Sequence, residues 1–397
     1  MNYKTTFRHE HAESKSGHKL KQTRVDSIGD LVIKLRGIIK LKRVMKHLLF
    51  APIIAAITLI FIVACSIDKS DKVIELQMAD TDSDGYINLY DVDDDGDGLI
   101  EIRGIADFNM VRNNLDGTGM SSTRGQKGEI YGCGGGITLE GEPIDSCHGY
   151  ELVADISLID YAKWQPIGSC SANNECEDAF NAVFEGNGHT ISDLSINIDR
   201  VAFGVGLFGA ISPESELRNI HVRNSMVVFE PEGEPYDVGI LVGHARGAYI
   251  EGSSVVGGDI YTTAFDAGGL IGDGEGATVT YSYVDVGIIK GASEVGGLIG
   301  GGASSNILYS CASASIIYGK EEVGGLVGDG KNAMIISSYA VGDITKGETA
   351  VGDLAGEDQN INVKDSYTME NTQEFGCFEM ISMDNLTPNI QLAENIR

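Results

Sequence analysis

The feature that most constrains the fold of this sequence is a Gly-rich repeat in its C-terminal half. Six units begin with a similar apolar segment that contains Gly, and successive starts are separated by 33, 29, 28, 28 and 28 residues. These segments begin at Val205, Val238, Ala267, Val295, Val323 and Val351. A second set of positions recurs every 28 residues, at Tyr283, Cys311, Tyr339 and Tyr367. Self-similarity at such a period indicates a repeat architecture.

A unit of this length, made of short strands, cannot bury its own apolar face, whereas stacked units bury a continuous interior. Parallel strands of successive coils would pair about 4.8 Å apart, so equivalent residues would lie above one another. We therefore predict an all-β fold, a parallel β-helix (β-solenoid) with coils of 28 residues. Leu270, Leu298 and Leu326 should then form an interior ladder, and the repeated Gly residues should allow tight corners or close backbone approach. A β-propeller is the main alternative, but its blades usually need about 40 residues or more.

Each coil is expected to contain one Gly-rich strand, a turn, a second strand around the SY or SC pair, and a third short strand. Acidic residues recur on either side of the Gly-rich strand, at Asp273, Glu294, Glu322 and Asp329. Because their positions follow the repeat, we interpret them as residues of solvated turns rather than as catalytic groups. His189, His221 and His244 are interpreted as isolated histidines. The sequence contains no GxSxG or HExxH motif.

Charge divides the chain into two parts. Residues 1–64 carry 12 Lys and Arg against 4 Asp and Glu, and residues 65–397 carry 17 against 54, so the two parts have net charges of about +8 and −37. This pattern is typical of a basic leader followed by an exported acidic body. An acidic body repels nucleic acid and attracts cations or basic partners, so no nucleic-acid partner is expected.

The leader contains an uncharged apolar segment at residues 48–64, preceded by several basic residues, as in a secretory signal. The sequence Ile62–Ser66 resembles a bacterial lipobox, which implies cleavage before Cys65 and a lipid on that residue. Ser66 resembles the residue found in lipoproteins sent to an outer membrane. We therefore expect a lipid-anchored, surface-exposed protein of a bacterial cell envelope, with Met45 as an alternative start. An uncleaved membrane helix is the alternative, because 17 apolar residues lie at the edge of spanning length.

Residues 65–98 contain an acidic segment that fits a twelve-residue calcium loop. Calcium needs six to eight oxygen ligands, and alternate side chains with Gly85 at the sharp turn can supply them. The continuation into the Asp-rich stretch up to Gly98 resembles thrombospondin type 3 repeats, in which calcium loops share ligands. The predicted ligands of this structural calcium are Asp80, Asp82, Asp84, Tyr86, Asn88, Asp91, Asp93, Asp95 and Asp97. We interpret the segment as a tether stiffened by calcium, with a merely solvated acidic linker as the alternative.

Residues 99–200 are predicted to form a capping region and the first coil. Ile105, Phe108, Val111 and Leu115 follow helical spacing and predict one short amphipathic helix. In an exported protein, cysteines that are close in sequence pair most simply as local disulfides, although four cysteines allow three connectivities. A zinc site is the alternative, but no pair has CxxC spacing. The predicted disulfide cysteines are Cys133, Cys147, Cys170 and Cys176, and the sequence assigns no partner to Cys311 or Cys377.

A succession of short motifs resembles bacterial GLUG-motif surface proteins, and the resemblance spans roughly residues 96 to 370. Five strings carry it, GDGLIEI (96–102), NNLDGTG (113–119), GYELVADISL (149–158), WQPIG (164–168) and FEGNGHTISDLSI (184–196). It implies that residues 201–375 are GLUG-like solenoid repeats with a GLVG-like core, followed by a C-terminal tail or cap at 376–397. In that family such repeats occur in adhesin-like surface proteins and beside separate protease domains.

The leading hypothesis is a non-catalytic cell-surface lipoprotein, in which a β-solenoid on a calcium-stiffened stalk acts in adhesion or ligand binding. The expected partners are the membrane, through the lipid anchor, and a glycan or surface protein. The insertion at residues 230–237 lengthens the first unit to 33 residues and is interpreted as a polar loop, with cation or partner binding as the alternative. A carbohydrate-active β-helix enzyme of the polysaccharide lyase or hydrolase type is the first alternative function, and a structural envelope spacer is the second.

Overall fold

The fold is seen in a computed structural model. It describes residues 78–79, 81, 88, 91–119, 147–161, 163–171, 176–197, 203–230, 236–342, 345–369 and 377. The chain divides into two compact units, Met1–Val73 and Ile74–Arg397, and every described residue belongs to the second. The leader, Cys65, and the predicted ligands Asp80, Asp82, Asp84 and Tyr86 lie outside the described residues.

The described part of the chain contains one short helix, α1 (Ile105–Met110), which is followed by a 3-10 turn at Val111–Asn113; all other regular elements are strands. The strands up to the fifth Gly-rich corner are β1 (Leu99–Ile102), β2 (Gly149–Leu152), β3 (Ile156–Ser157), β4 (Val183–Glu185), β5 (Thr190–Ser192), β6 (Ser195–Asn197), β7 (Gly204–Val205), β8 (Phe208–Ala210), β9 (Glu216–Arg218), β10 (His221–Phe229), β11 (Asp237–Gly239), β12 (Val242–His244), β13 (Tyr249–Glu251), β14 (Ser254–Thr262), β15 (Asp266–Gly268), β16 (Ile271–Asp273), β17 (Thr278–Thr280), β18 (Tyr283–Lys290), β19 (Glu294–Gly296), β20 (Ile299–Gly301), β21 (Asn306–Leu308) and β22 (Cys311–Tyr318). The remaining strands are β23 (Val323–Gly324), β24 (Val327–Asp329), β25 (Met334–Ile336), β26 (Tyr339–Val341), β27 (Thr345–Lys346), β28 (Val351–Gly352), β29 (Ala355–Glu357), β30 (Asn362–Lys364) and β31 (Tyr367–Met369).

These strands form four parallel sheets, and each complete coil contributes one strand to every sheet. The sheet orders are β1-β2-β4-β9-β13-β17-β21-β25-β30, β3-β5-β10-β14-β18-β22-β26-β31, β7-β11-β15-β19-β23-β28 and β8-β12-β16-β20-β24-β29, with β6 and β27 beside β10 and β22. Pairing follows the repeat, since Tyr283 pairs with Cys311 and Cys311 with Tyr339. The predicted all-β parallel solenoid is therefore confirmed.

The core runs through the stacked coils. Leu270, Leu298 and Leu326 are fully buried, as the interior-ladder prediction requires. Three Ser residues of the SY and SC pairs, Ser282, Ser310 and Ser338, are also buried, and their hydroxyls bond to the backbone at the corner. For example, Ser310 Oγ donates to the Leu308 carbonyl and accepts a hydrogen bond from the backbone N–H of Ser282, one coil away. A column of serines of this kind supplies hydrogen-bond partners to buried backbone N–H and C=O groups that would otherwise be unpaired.

The Gly-rich segment differs from its prediction, because it forms two short strands rather than one. In the third coil, β15 and β16 are joined by Gly269 and Leu270, where the chain turns sharply. A Cβ atom on Gly268 would lie only 2.0 Å from the carbonyl oxygen of Ile271. A side chain cannot occupy that space, so Gly allows the second strand to fold back against the first. In four coils the two later strands that the sequence predicts are one continuous strand, as in β18 (Tyr283–Lys290), whereas the next coil has β26 and β27 as separate strands.

The region predicted as a cap continues the same sheets, because β1, β2 and β4 lie beside β9 in the first sheet. The predicted helix is confirmed as α1. Its Phe108 is buried and stacks on Trp164, with ring centroids 5.1 Å apart. The N-terminal coils therefore have an aromatic interior, in contrast with the aliphatic interior of the later coils.

Two of the predicted disulfide cysteines, Cys170 and Cys176, are bonded to each other. Cys147 is disulfide-bonded, and its simplest predicted partner, Cys133, lies outside the described residues. The cysteines left unassigned by the sequence form a bond between Cys311 and Cys377. This bond joins a core strand, β22, to a residue 66 positions later.

Candidate functional sites

The acidic segment ends in a compact turn immediately before β1. Asp93, Asp95 and Asp97 each place a carboxylate oxygen within 4.8 Å of the others. Gly96 and Gly98 adopt positive φ angles of 73° and 88°, which is the backbone conformation that Gly permits at little cost. The turn therefore gathers three of the predicted calcium ligands into one cluster, in which carboxylate oxygens could hold a hard cation.

Backbone N–H groups hold the carboxylates of this turn in place. Asp93 Oδ2 accepts a hydrogen bond from Gly98 N at 3.0 Å, and Asp97 Oδ1 accepts one from Leu99 N at 2.8 Å. Asp91 is buried and accepts from Asp93 N. Asn88, another predicted ligand, bonds instead to the side chain of Thr81.

Two buried glutamates, which no sequence motif indicated, flank this turn. Glu101 is 3% exposed, its Oε1 accepts from Asp94 N, and Arg103 pairs with its Oε2 at 2.7 Å. Burial is the main cause that raises the pKa of Glu101 to about 9, against the lowering effect of Arg103. Burial likewise raises the pKa of Glu151 to about 7, although Asn187 donates a hydrogen bond to it. The two residues belong to adjacent strands, β1 and β2, and Glu101 pairs with Glu151.

A second acidic cluster lies at the Gly-rich corner of the solenoid. In four successive corners an acid lies at the start of the first strand or directly before it, and these acids form a first column of Asp237, Asp266, Glu294 and Glu322. The second strand ends in a second column of His244, Asp273, Gly301, Asp329 and Glu357. Because the corner folds back on itself, the two columns face each other. We call this arrangement the carboxylate ladder.

The upper rung of the carboxylate ladder is buried and contacts the side chains of His244 and Arg246. His244 Nδ1 lies 2.7 Å from Asp237 Oδ2 and 3.6 Å from Asp273 Oδ2. Arg246 Nε lies 2.6 Å from the same oxygen of Asp273. The solvated-turn interpretation is therefore wrong for Asp273, which is 3% exposed, and the interpretation of His244 as isolated is wrong as well. Sequence periodicity indicated the recurrent position of Asp273 but not that of His244, and the contact between the columns depends on the fold at the corner.

The lower rungs of the ladder have no basic side chain in an ion pair within the described residues. Asp266 is 8% exposed, whereas Glu294, Glu322 and Asp329 are half-buried. The last three place carboxylate oxygens within 4.8 Å of one another. Burial, followed by the neighbouring charge of Glu294, raises the pKa of Asp266 well above its ordinary value. Burial and the charge of Asp329 raise the pKa of Glu294 to about 7.

An exposed pair of aromatic rings lies on another corner of the solenoid. Tyr281 and Tyr309 follow β17 and β21, and their rings stack with centroids 5.0 Å apart and planes 8° from parallel. Their exposed fractions are 42% and 41%. Both residues have positive φ angles, 49° and 51°, which a bulky side chain rarely adopts. Strain of this kind concentrates at functional sites, so the pair is a candidate binding surface.

No helix among the described residues is long and apolar enough to span a bilayer, and the apolar segment at residues 48–64 lies outside them. The lipobox-like sequence therefore stays a prediction.

Comparison with known proteins gives two partial likenesses. No protein-family model matches the chain. A stretch of 136 residues, 30% of the chain, is 32% identical to Halomucin of Haloquadratum walsbyi but covers 1% of that protein. The chain thus spans about one hundredth of the length of this curated relative.

Among solved structures, the fold is similar to that of a Bacteroides ovatus protein whose assignment as an immunoglobulin A1 protease is itself provisional. The TM-score is 0.47 at 17% identity, over 68% of this chain and 75% of that chain. This similarity concerns the backbone alone and does not indicate an activity for this chain.

Proposed function

We propose that this protein is a non-catalytic, ligand-binding solenoid displayed on a bacterial cell surface. In this proposal, a lipid on Cys65 anchors the chain and the acidic segment forms a calcium-stiffened tether. Membership of the GLUG-motif surface proteins is part of the same proposal and rests on the motifs described above. The β-solenoid itself suits this role, because stacked coils present a long, regular surface to a partner.

The exposed Tyr281–Tyr309 stack is the observation that carries the ligand-binding proposal. At the equivalent corner the other repeat coils have Asn219, Gly252, Ser337 and Asp365, all with positive φ. Small or polar residues adopt that conformation more readily than Tyr does, so the backbone at these two positions does not favour Tyr. Two parallel, half-exposed rings present their edges and outer faces with hydroxyls at the rim, which matches the apolar faces and polar rims of sugar rings.

The buried cluster around His244 is closed to a substrate, which supports binding rather than catalysis at that rung. A general acid or base must reach the proton that it transfers, within about 3 Å or through one water. His244 and its partners Asp237 and Asp273 are at most 3% exposed, so a substrate cannot contact them in this conformation.

A glycan array with the full chain, in calcium and in chelator, tests this proposal. We expect wild-type binding to a subset of glycans, and a loss of at least about tenfold in affinity for Tyr281→Ala/Tyr309→Ala. Tyr318→Ala is the matched control, because Tyr318 is also 40% exposed but lies in β22, outside the stack. The control should bind as the wild type does.

Three results would contradict the proposal in different ways. Equal binding by the double variant and the wild type would remove the tyrosine stack as the binding surface. Release of reducing or unsaturated sugar ends during incubation with polysaccharides would establish the enzyme alternative. No binding to glycans or to surface proteins would favour the envelope spacer.

A further inference from the structure

One rung of the carboxylate ladder lacks the side chain that its neighbours have. The second column has Asp273 above and Asp329 below, but Gly301 between them. A Cβ atom on Gly301 would lie 2.9 Å from Glu294 Oε2 and 3.1 Å from Asp266 Oδ2. The two carboxylates therefore converge on the space that a side chain at this rung would occupy. We call this space the Gly301 notch.

The acids at the notch have no basic side chain as an ion-pair partner among the residues that the structure describes. One rung above, His244 and Arg246 contact Asp237 and Asp273. In contrast, no ion pair joins Asp266 or Glu294 to a Lys, Arg or His within the described part of the chain. Carboxylates that are close together and partly shielded from water repel one another strongly when both are charged. They therefore require a proton or a cation between them.

Asp266 gives an independent indication that a ligand belongs at the notch. Its side chain is more than nine-tenths buried, with 8% exposure, and points one oxygen toward the notch. Its other oxygen, Oδ1, has no hydrogen-bond partner among the described residues. A buried carboxylate oxygen without a partner costs roughly 1–3 kcal/mol or more, and native proteins usually satisfy such atoms.

We propose that the Gly301 notch binds a calcium ion between two coils of the solenoid, with Asp266 and Glu294 as its principal protein ligands. This site is separate from the predicted calcium site of the tether and does not depend on the proposed binding function.

The chemistry of the notch fits calcium better than a transition metal. Its ligands are carboxylate oxygens, without the imidazole or thiolate groups that zinc and copper prefer. Calcium also accepts irregular geometry and completes its shell with water, whereas magnesium demands near-octahedral ligands. Glu322 and Asp329, on the next rung down, extend the negative field beside the notch. A bound cation there would join the strand β15 to β19 and so tie adjacent coils together.

Calcium titration of the full chain tests the site. To isolate it, calorimetry and thermal unfolding use a background in which both parts of the predicted tether site are removed, by Asp80→Asn, Asp82→Asn and Asp84→Asn in the loop and by Asp93→Asn, Asp95→Asn and Asp97→Asn in the turn. In that background we expect one bound calcium per chain and a rise in Tm of several degrees at saturation. Adding Asp266→Asn/Glu294→Gln should abolish both responses, and magnesium at the same concentration should give a smaller shift.

Two further variants separate the effect of the notch's shape from the effect of removing a charge. Gly301→Ala keeps every charge but places a methyl group against both carboxylates, so it should weaken calcium binding at least about tenfold without unfolding the protein. Asp285→Asn removes one exposed charge from β18 and should bind calcium as the background does. A background protein that takes up no calcium would overturn the proposal. Unchanged uptake in both Asp266→Asn/Glu294→Gln and Gly301→Ala would overturn it as well.

Discussion

Single residues in this fold are constrained mainly by their place in a column. One interior column is exclusively aliphatic where it passes through Leu270, Leu298 and Leu326, and all three side chains are fully buried. Each leucine contacts its equivalents in neighbouring coils, so a change in one rung alters the packing of two others. Stability should therefore be sensitive to a single truncation in this column.

Leu298→Ala tests that sensitivity. Removing three buried carbons from a close-packed interior leaves a cavity and should lower the free energy of unfolding by about 3 kcal/mol. Urea denaturation monitored by circular dichroism would measure it. Ile159→Ala is the control, because Ile159 is 71% exposed, and it should change stability by no more than about 0.5 kcal/mol. Equal losses in the two variants would contradict an interior position for Leu298.

The buried Glu151 predicts a dependence of stability on pH. Its pKa is raised by burial to about 7 in the folded protein, so the folded state binds more protons than the unfolded state above pH 4.5. Stability from this residue is therefore present at low pH and is lost as pH rises from about 4.5 through 7. The loss should amount to at most about 3 kcal/mol.

Urea denaturation in chelator at pH 5 and pH 8 measures this effect. Glu151→Gln stays neutral, so its stability relative to the wild type should improve as pH rises. A difference between the two proteins that is the same at both pH values would contradict the raised pKa.

At the scale of elements, the sequence predicted the repeat but not the way in which each corner folds. The period of 28 residues, the leucine ladder and the helix α1 follow from spacing alone, because spacing fixes which residues share a face. The pattern did not show that the Gly-rich segment contains two strands. That division depends on a turn at positions such as Gly269 and Leu270, where backbones approach too closely for a side chain.

The burial of the carboxylate ladder was missed for the same reason. Sequence periodicity places Asp266 and Glu294 in one column, and Asp273 and Asp329 in another. Only the folded corner brings the two columns face to face. Acids that the sequence indicates as solvated turn residues are therefore partly buried. The observation that could have indicated this is their recurrence, because a solvated turn has little need of an acid at the same position in several coils.

The disulfides join elements at very different distances along the chain. Cys311 and Cys377 are separated by 66 residues, whereas Cys170 and Cys176 are separated by 6. Sequence could suggest the short bond because its cysteines are neighbours. The long bond depends on where the chain runs more than two coils after Cys311, so spacing alone could not assign it.

Removal of each disulfide should cost stability according to the length of the loop that it closes. Cys311→Ser/Cys377→Ser should lower the free energy of unfolding by about 4 kcal/mol, and Cys170→Ser/Cys176→Ser by about 2 kcal/mol. Denaturant titrations of the two double variants under identical non-reducing conditions would measure the difference. A larger cost for the short loop would show that strain or packing, rather than loop entropy, dominates.

At the scale of the whole molecule, the proposed display on a cell surface depends on Cys65. If the lipobox-like sequence is processed, the mature chain begins at Cys65 and carries a lipid there. Cys65→Ala should then move the protein from the membrane fraction to a soluble or unprocessed form, while the solenoid remains folded. Mass spectrometry of the N-terminal peptide measures the modification, and Cys311→Ser serves as a cysteine control that should stay lipidated. An unmodified Cys65 in membrane-bound wild-type protein would contradict this part of the proposal.

The central claim is that successive 28-residue units lie one above another in a fixed register, and paired cysteines test it most directly. Asp285 in β18 and Ser313 in β22 are Cα partners, and residues paired in this way lie about 4.8 Å apart, within the range of a disulfide. Ser315, two residues further along β22, would lie about 8 Å away and beyond that range. Under mild oxidation, Asp285→Cys/Ser313→Cys should form a disulfide and Asp285→Cys/Ser315→Cys should not, as judged by peptide mass spectrometry. Equal cross-linking of both pairs, or cross-linking of the second pair alone, would contradict the in-register solenoid.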